Sequence, residues 1–202
     1  IQAGAIAAVL SLYRARVVQM LRGLAGQDPA GRRLAVSLVA AFVPAAVIGK
    51  LLDEPIEQVL FGAWPVVAAW AAGGALLLAV APRIKSRPGM ATDEIGWKAA
   101  VVVGLAQCAA LWPGVSRSMA TMLGGVAMGL SMAGAVEFSF LLGLLTLGAA
   151  TGYKALKSGH ALVDAYSPAL IATGLLMSWL SAIIAVKWMV GWINRHGMVV
   201  FG

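Results

Sequence analysis

Long stretches of this chain carry almost no charge: Leu34 to Leu52, Val59 to Pro82, Trp97 to Gly152 and Pro168 to about Ile193. About 20 apolar residues in helical form are enough to cross the hydrocarbon core of a bilayer. In that solvent each backbone polar group must be satisfied internally, so only helices and closed barrels span it. The runs here are continuous instead of alternating, which predicts helices. The expected fold class is therefore all-α, a polytopic integral membrane helical bundle formed by a single membrane domain over residues 1–202. Composition agrees: 61% of the residues are hydrophobic and 11% charged, whereas a soluble domain has roughly a quarter charged and needs them for its water-facing shell.

The charges that do occur are placed like orientation signals. There are 15 Lys+Arg against 8 Asp+Glu, a net +7. In a soluble protein this excess would point to nucleic acid. Here the cations lie between apolar runs, so membrane lipid is the expected partner and nucleic acid is not. Arg14, Arg16, Arg22, Arg32 and Arg33 are expected in one basic loop that also holds Gly26, Asp28, Pro29 and Gly31. Arg83, Lys85 and Arg87 make a second, and Asp53, Glu54 and Glu57 an acidic link between them. The positive-inside rule puts both basic links in the cytoplasm and the acidic link outside. Trp64, Trp97, Trp188 and Trp192 fall near expected helix ends, at headgroup depth. The run Ile1 to Tyr13 is too short to span, so the chain is expected to begin inside a helix. Cys108 is the lone cysteine and reads as a small apolar filler.

One cluster interrupts the longest run. Pro113-Gly114-Val115-Ser116-Arg117-Ser118 should break the helix at or just before Pro113. Broken backbone at membrane depth is tolerated only where it is buried in protein or lines a cavity. Trp97 to Trp112 and Met119 to Val136 are thus two arms around a loop, either re-entrant or a discontinuous span. A further helix is expected from Phe138 to Tyr153, then a polar connection with Lys154, Lys157, His160 and Asp164. Gly125 and Gly129 make a Gly-xxx-Gly pair suited to close helix approach.

Arg117 is the residue that demands a function. A cation in such a run costs roughly 3 kcal/mol or more. The helix expected to start at about Ser118 offers free N–H groups and a positive dipole end, and a guanidinium binds two phosphate oxygens at once. With hydroxyls at Ser116, Ser118 and Thr121 and a permissive Gly114, the cluster reads as a phosphate cradle. The rival reading is a structural arginine paired with a carboxylate, with Ser118 as a helix cap. Glu137 is the nearest carboxylate and a candidate partner, metal ligand or proton acceptor. Gln107, on the preceding arm, is placed to hydrogen-bond the loop. His160 and His196 read as solvated link residues, and Lys187 as a side chain snorkelling to the interface.

Gly104-Leu105-Ala106-Gln107, Leu111 and Pro113 to Thr121 together resemble the Pro-Gly-x-Ser-Arg-Ser-x-x-Thr signature of the undecaprenyl-diphosphatase family, also called bacitracin-resistance proteins. Glu137-Phe138-Ser139-Phe140-Leu141-Leu142 is similar to the family's Glu-Phe-Ser-Phe-Leu-Leu segment, and Ile1-Gln2-Ala3-Gly4-Ala5 to the stretch after its first motif. The resemblance covers essentially the whole chain. It implies an enzyme of the bacterial cytoplasmic membrane that hydrolyses undecaprenyl diphosphate to the monophosphate, with two inverted repeats, each with a re-entrant segment, and a site open to the outside. It further implies that Arg117 clamps the diphosphate while Ser116, Ser118 and Thr121 bind or attack it, with Gly114, Gln107, Glu137 and Ser139 around the substrate.

The family's first motif, an acidic stretch and a serine-rich Gly-His turn, is expected before Ile1, together with the general base and any metal ligands. A divalent cation, Mg or Ca, and a homodimer are compatible with this reading and are not shown by the sequence. Met119 stands where the family usually has Gly, Leu144-Leu145-Thr146 replaces a segment that commonly contains Pro, and the chain stops at Phe201-Gly202 where a short basic tail would follow. A polyprenyl-phosphate flippase or anion transporter would use the same broken helix and midplane arginine.

Overall fold

The structure is a computed structural model that describes residues 1–84 and 88–196, with side chains undescribed at 53, 81, 83–84, 158–165 and 194. Expectations on Arg83, Lys85, Arg87, His160, Asp164 and the Phe201-Gly202 end therefore lie outside the described residues. Within them the chain is helical, without β-strands: α1 (Gln2–Leu12), α2 (Arg14–Leu24), α3 (Pro29–Leu51), α4 (Asp53–Leu60), α5 (Ala63–Ile84), α6 (Trp97–Cys108), α7 (Arg117–Ala127), α8 (Met132–Ala165) and α9 (Pro168–His196). Short 3-10 turns cover Thr92–Glu94 and Ala109–Leu111.

Among the described residues, α3, α5, α8 and α9 are each long and apolar enough to cross a membrane. Their outward apolar side chains, such as Val43, Trp70 and Ile184, are exposed, as lipid-facing residues are. The core lies between α3, α6 and α8, where Leu34, Leu38 and Ala41 meet Ala100, Val103, Phe138, Leu141 and Leu142. Lipid tails are as apolar as leucine, so close packing of small residues and interhelical hydrogen bonds hold such helices together. Ser37, fully buried on α3, supplies one such bond to the Ile95 carbonyl at 2.8 Å.

Several expected boundaries shift. The arginine-rich segment is not a loop: Arg14 to Leu24 is helical and bent 77° from α1, and Arg32 and Arg33 lie in the first turn of α3 behind the Asp28 cap, whose carboxylate accepts from Gly31 N. Arg, Met, Leu and Gln are good helix formers, so charge alone did not mark a loop. Likewise α8 starts at Met132, earlier than Phe138, and continues through Lys154 and Lys157 to Ala165. At roughly 1.5 Å per residue it outruns the hydrocarbon core, and its polar end leaves the membrane as helix instead of connection. The Gly-xxx-Gly pair also dissolves: α7 ends at Ala127, and Gly129 adopts φ +94° in the turn beyond it. His196 closes α9 and stacks on Trp192.

The break at Pro113 is re-entrant. Val103 and Ala106 of α6 pack on Gly124 of α7, so the two arms run antiparallel as a hairpin. Its base is tied where Met90 N donates to Gly129 O and Ser131 N to Met90 O. At the tip, Trp112 Nε1 donates to the Pro65 carbonyl at 3.1 Å, and Leu111 lies against Gly49. The hairpin therefore enters from the end that carries Arg22 and Arg32 and reaches the level of the start of α5.

An ion pair clamps the same base to α2. Arg16 Nε and Nη2 lie 2.9 and 3.2 Å from the two oxygens of Glu137, and Nη1 is 3.5 Å from Asp93. Thr92 Oγ1 stands 2.5 Å from Glu137. Partly buried charges bound in this way are costly to leave single. In detergent, Arg16→Ala and Glu137→Ala should each lower thermal stability by about 1–3 kcal/mol, while the double variant loses clearly less than the sum; additive losses measured by thermal unfolding would dismiss the clamp.

Candidate active site

Ser116 ends the turn with extended backbone and caps α7, its Oγ accepting from Met119 N at 3.3 Å. The helix thus starts at Arg117, one residue earlier than the sequence suggests, and Ser116 fills the capping role considered for Ser118. Ser118 Oγ makes no hydrogen bond among the described residues. The tip can turn because Gly114 adopts φ +100°, where side chains are strained. It also packs tightly, since a Cβ there would lie 2.9 Å from the Val66 carbonyl.

Arg117, partly buried, points across to α8. Its Nη1 donates to Thr146 Oγ1 at 2.7 Å, and Thr146 Oγ1 in turn donates to the Gly143 carbonyl at 3.2 Å. Gly143 is the floor of this seat: a Cβ there would come within 2.9 Å of Nη2. Among the described residues no carboxylate lies within ion-pair reach of Arg117. Glu137, the expected partner candidate, is taken by Arg16 instead. It is six residues, nearly two turns, before Gly143 on α8 and so at a different depth.

Thr121 and Ser139 are brought together one level below Arg117. Their hydroxyl oxygens are 2.6 Å apart, both side chains are buried, and Thr121 Oγ1 also reaches the Arg117 and Ser118 carbonyls at 3.0 and 3.1 Å. This pair pins α7 to α8 beneath the guanidinium. Gln107 is buried on α6, but its Oε1 has no hydrogen-bond partner among the described residues, so the expected bond to the loop is not formed. Glu137, Thr92 and Arg16 line a separate cavity of about 350 Å³ at the hairpin base.

Sequence reading missed Thr146, Gly143, Arg16, Thr92 and Asp93. For the first two a signal existed: Ser139, Gly143 and Thr146 recur at i, i+4 and i+7, one face of an otherwise apolar helix. The partners of Glu137 come from distant segments and left no local mark. As to a metal, no group of three or more His, Cys, Asp or Glu converges among the described residues, and Glu137 is engaged by a guanidinium and a hydroxyl.

Four long apolar helices around a hairpin whose second arm begins at Arg117, a cation with no carboxylate partner among the described residues, define a multi-pass membrane protein. The family model described as bacitracin resistance protein BacA matches residues 1–202, and the chain belongs to that family. Its similar relatives include the undecaprenyl-diphosphatase of Sorangium cellulosum, 41% identical over 206 residues, covering 100% of this chain and 67% of the relative. Undecaprenyl-diphosphatase 2 of Rhodospirillum rubrum is 42% identical and matched over 73% of its length. The undecaprenyl-diphosphatase of Nitrosomonas europaea is 39% identical and matched over 72%.

The tip geometry is open to direct measurement. Gly114→Val should destabilise the protein by about 1–3 kcal/mol through its positive φ and the contact with Val66, with Gly114→Ala milder. Unchanged thermal unfolding of the valine variant would contradict the turn described.

Proposed function

We propose that this protein hydrolyses undecaprenyl diphosphate to undecaprenyl phosphate and inorganic phosphate, recycling the lipid carrier for cell-wall synthesis and so conferring bacitracin resistance. The observation that carries this reading is Arg117, a partly buried cation without a carboxylate partner among the described residues at the first residue of α7, in a chain whose relatives are named diphosphatases across its full length. The flippase or transporter alternative is not favoured by those relatives.

In this mechanism the polyprenyl chain stays in lipid and the diphosphate enters the tip of the hairpin. Arg117 Nη1 rests on Thr146, which leaves Nε and Nη2 for phosphate oxygens. Ser118 Oγ and the free N–H groups at the start of α7 donate to the same group, and Ser116 holds that helix end in place. Fixed donors in a poorly hydrated pocket stabilise charge as it spreads over the transferring phosphoryl group. Water attacks the terminal phosphorus as the bridging P–O bond breaks, leaving the lipid monophosphate as the other product. Neither serine has a base within hydrogen-bond reach among the described residues, so both are assigned to binding, not attack. Thr121 and Ser139 position Arg117 from below, and no step is routed through a divalent cation.

The tip lies at the level of the acidic α4, opposite the basic end. By the positive-inside rule the site opens outward, from the bacterial cytoplasmic membrane to the external face.

Phosphate release from undecaprenyl diphosphate in detergent tests the reading. Arg117→Ala should lose at least about 10³-fold in turnover, and Ser118→Ala about tenfold to 10²-fold. Arg117→Lys retains charge without the fork and falls between wild type and alanine; normal turnover by Arg117→Ala defeats the assignment. Thr146→Val, which removes the acceptor under Nη1, should cost about tenfold in kcat/KM with Thr146→Ser close to wild type. Equal activity in all three would release Thr146 from this role.

A further inference from the structure

A second polar feature lies at the other end of the molecule. Between the α2–α3 corner and the start of α6 there is a cavity of about 590 Å³, lined by Asp28, Arg32, Arg33, Val36 and Trp97 among others. Arg32 and Arg33 are exposed at its mouth, and neither has an ion-pair partner among the described residues. Asp28 Oδ1 accepts from Gly31 N at the cap of α3, and Asp28 forms no ion pair with either arginine. Lys98 adds a cation beside the cavity, its Nζ 5.7 Å from the centre of the Trp97 ring.

The surroundings say what covers these charges. Helix α2 crosses α3 near its start, since Gln19 meets Gly31 and Gly23 meets both Gly31 and Arg32. Trp97, 55% exposed, stands at the first residue of α6, where an indole prefers headgroup depth. Val36, two arginines without an ion-pair partner among the described residues and an interfacial tryptophan around one cavity match the glycerol, phosphate and first acyl carbons of a lipid at the membrane surface. A free phosphate would leave Val36 and Trp97 uncovered.

We infer that this pocket binds the headgroup of an anionic phospholipid on the basic face of the protein, with the phosphate between Arg32 and Arg33 and the acyl chains along Val36 and Trp97. The site is separate from the hairpin tip and does not depend on the hydrolytic reading. Its ligand class is set by charge and by the apolar wall together: an anionic glycerophospholipid is retained and a zwitterionic one is not.

The full chain in detergent, titrated with phosphatidylglycerol or with phosphatidylcholine of the same acyl chains, reports on this through bound lipid counted by native mass spectrometry. Phosphatidylglycerol should be retained under conditions that strip phosphatidylcholine, and R32Q/R33Q should weaken it roughly fivefold per arginine removed. K154Q/K157Q, an equal loss of charge at the far end of α8, should retain the preference. Val36→Trp, which fills the cavity without changing charge, should lose it and gives a reading independent of the arginine variants. The inference is overturned by any one of three results: no preference in the wild type, the same loss in K154Q/K157Q, or displacement by equimolar inorganic phosphate, which would assign the pocket to a free anion. Phosphate release by R32Q/R33Q should stay at the wild-type level, separating this site from the catalytic one.

Discussion

A guanidinium held at membrane depth without a counter-charge among the described residues is the constraint around which the structure is arranged. Left to lipid it would cost several kcal/mol. Arg117 is made tolerable by a hydroxyl at Thr146, by the polar tip of a re-entrant hairpin and by the packing that keeps lipid away. None of these neutralises the charge. The guanidinium keeps Coulombic attraction to offer an anion, which a permanent carboxylate partner would have cancelled.

The contrast with Arg16 makes the point within one molecule. Arg16 has two carboxylates and a glutamine amide oxygen around it, and its work is to tie α2 to the base of the hairpin. Arg117 has hydroxyl support only. The same residue type thus serves as a cross-link where carboxylates meet it, and under the proposed function would receive phosphate where they do not. Glu137 decides between these roles by its depth on α8. At the first turns of the helix it is level with Thr92 and Arg16, and well short of Gly143 and Thr146.

Much of this was legible in the sequence, for identifiable reasons. The spanning helices announce themselves because lipid imposes a single demand, apolar length. The break announces itself because Pro113 and Gly114 have strong local effects. Arg117 stood out through cost alone. The helix ends were less legible, since helix formers such as the Arg14–Leu24 segment and the Lys154–Ala165 end remain helical outside the apolar core. Partner choice was the least legible: Arg16 and Glu137 are 121 residues apart, and nothing local to either shows that the fold brings them together.

The departure from the family's usual proline in Leu144-Leu145-Thr146 acquires a physical meaning from the register of α7 against α8. The two helices meet antiparallel, Thr121 on Ser139 and Arg117 on Gly143 and Thr146, so positions four apart on α7 match positions four and seven apart on α8. That matching requires α8 to keep helical spacing from Ser139 through Thr146. A proline inside the stretch would remove a backbone hydrogen bond and bend the helix at the level of the guanidinium. With the helix unbroken, Thr146 presents its hydroxyl to Nη1 while Gly143 clears room for Nη2. In this chain, therefore, the straight helix and the threonine form one device: each is useful to Arg117 only in the presence of the other.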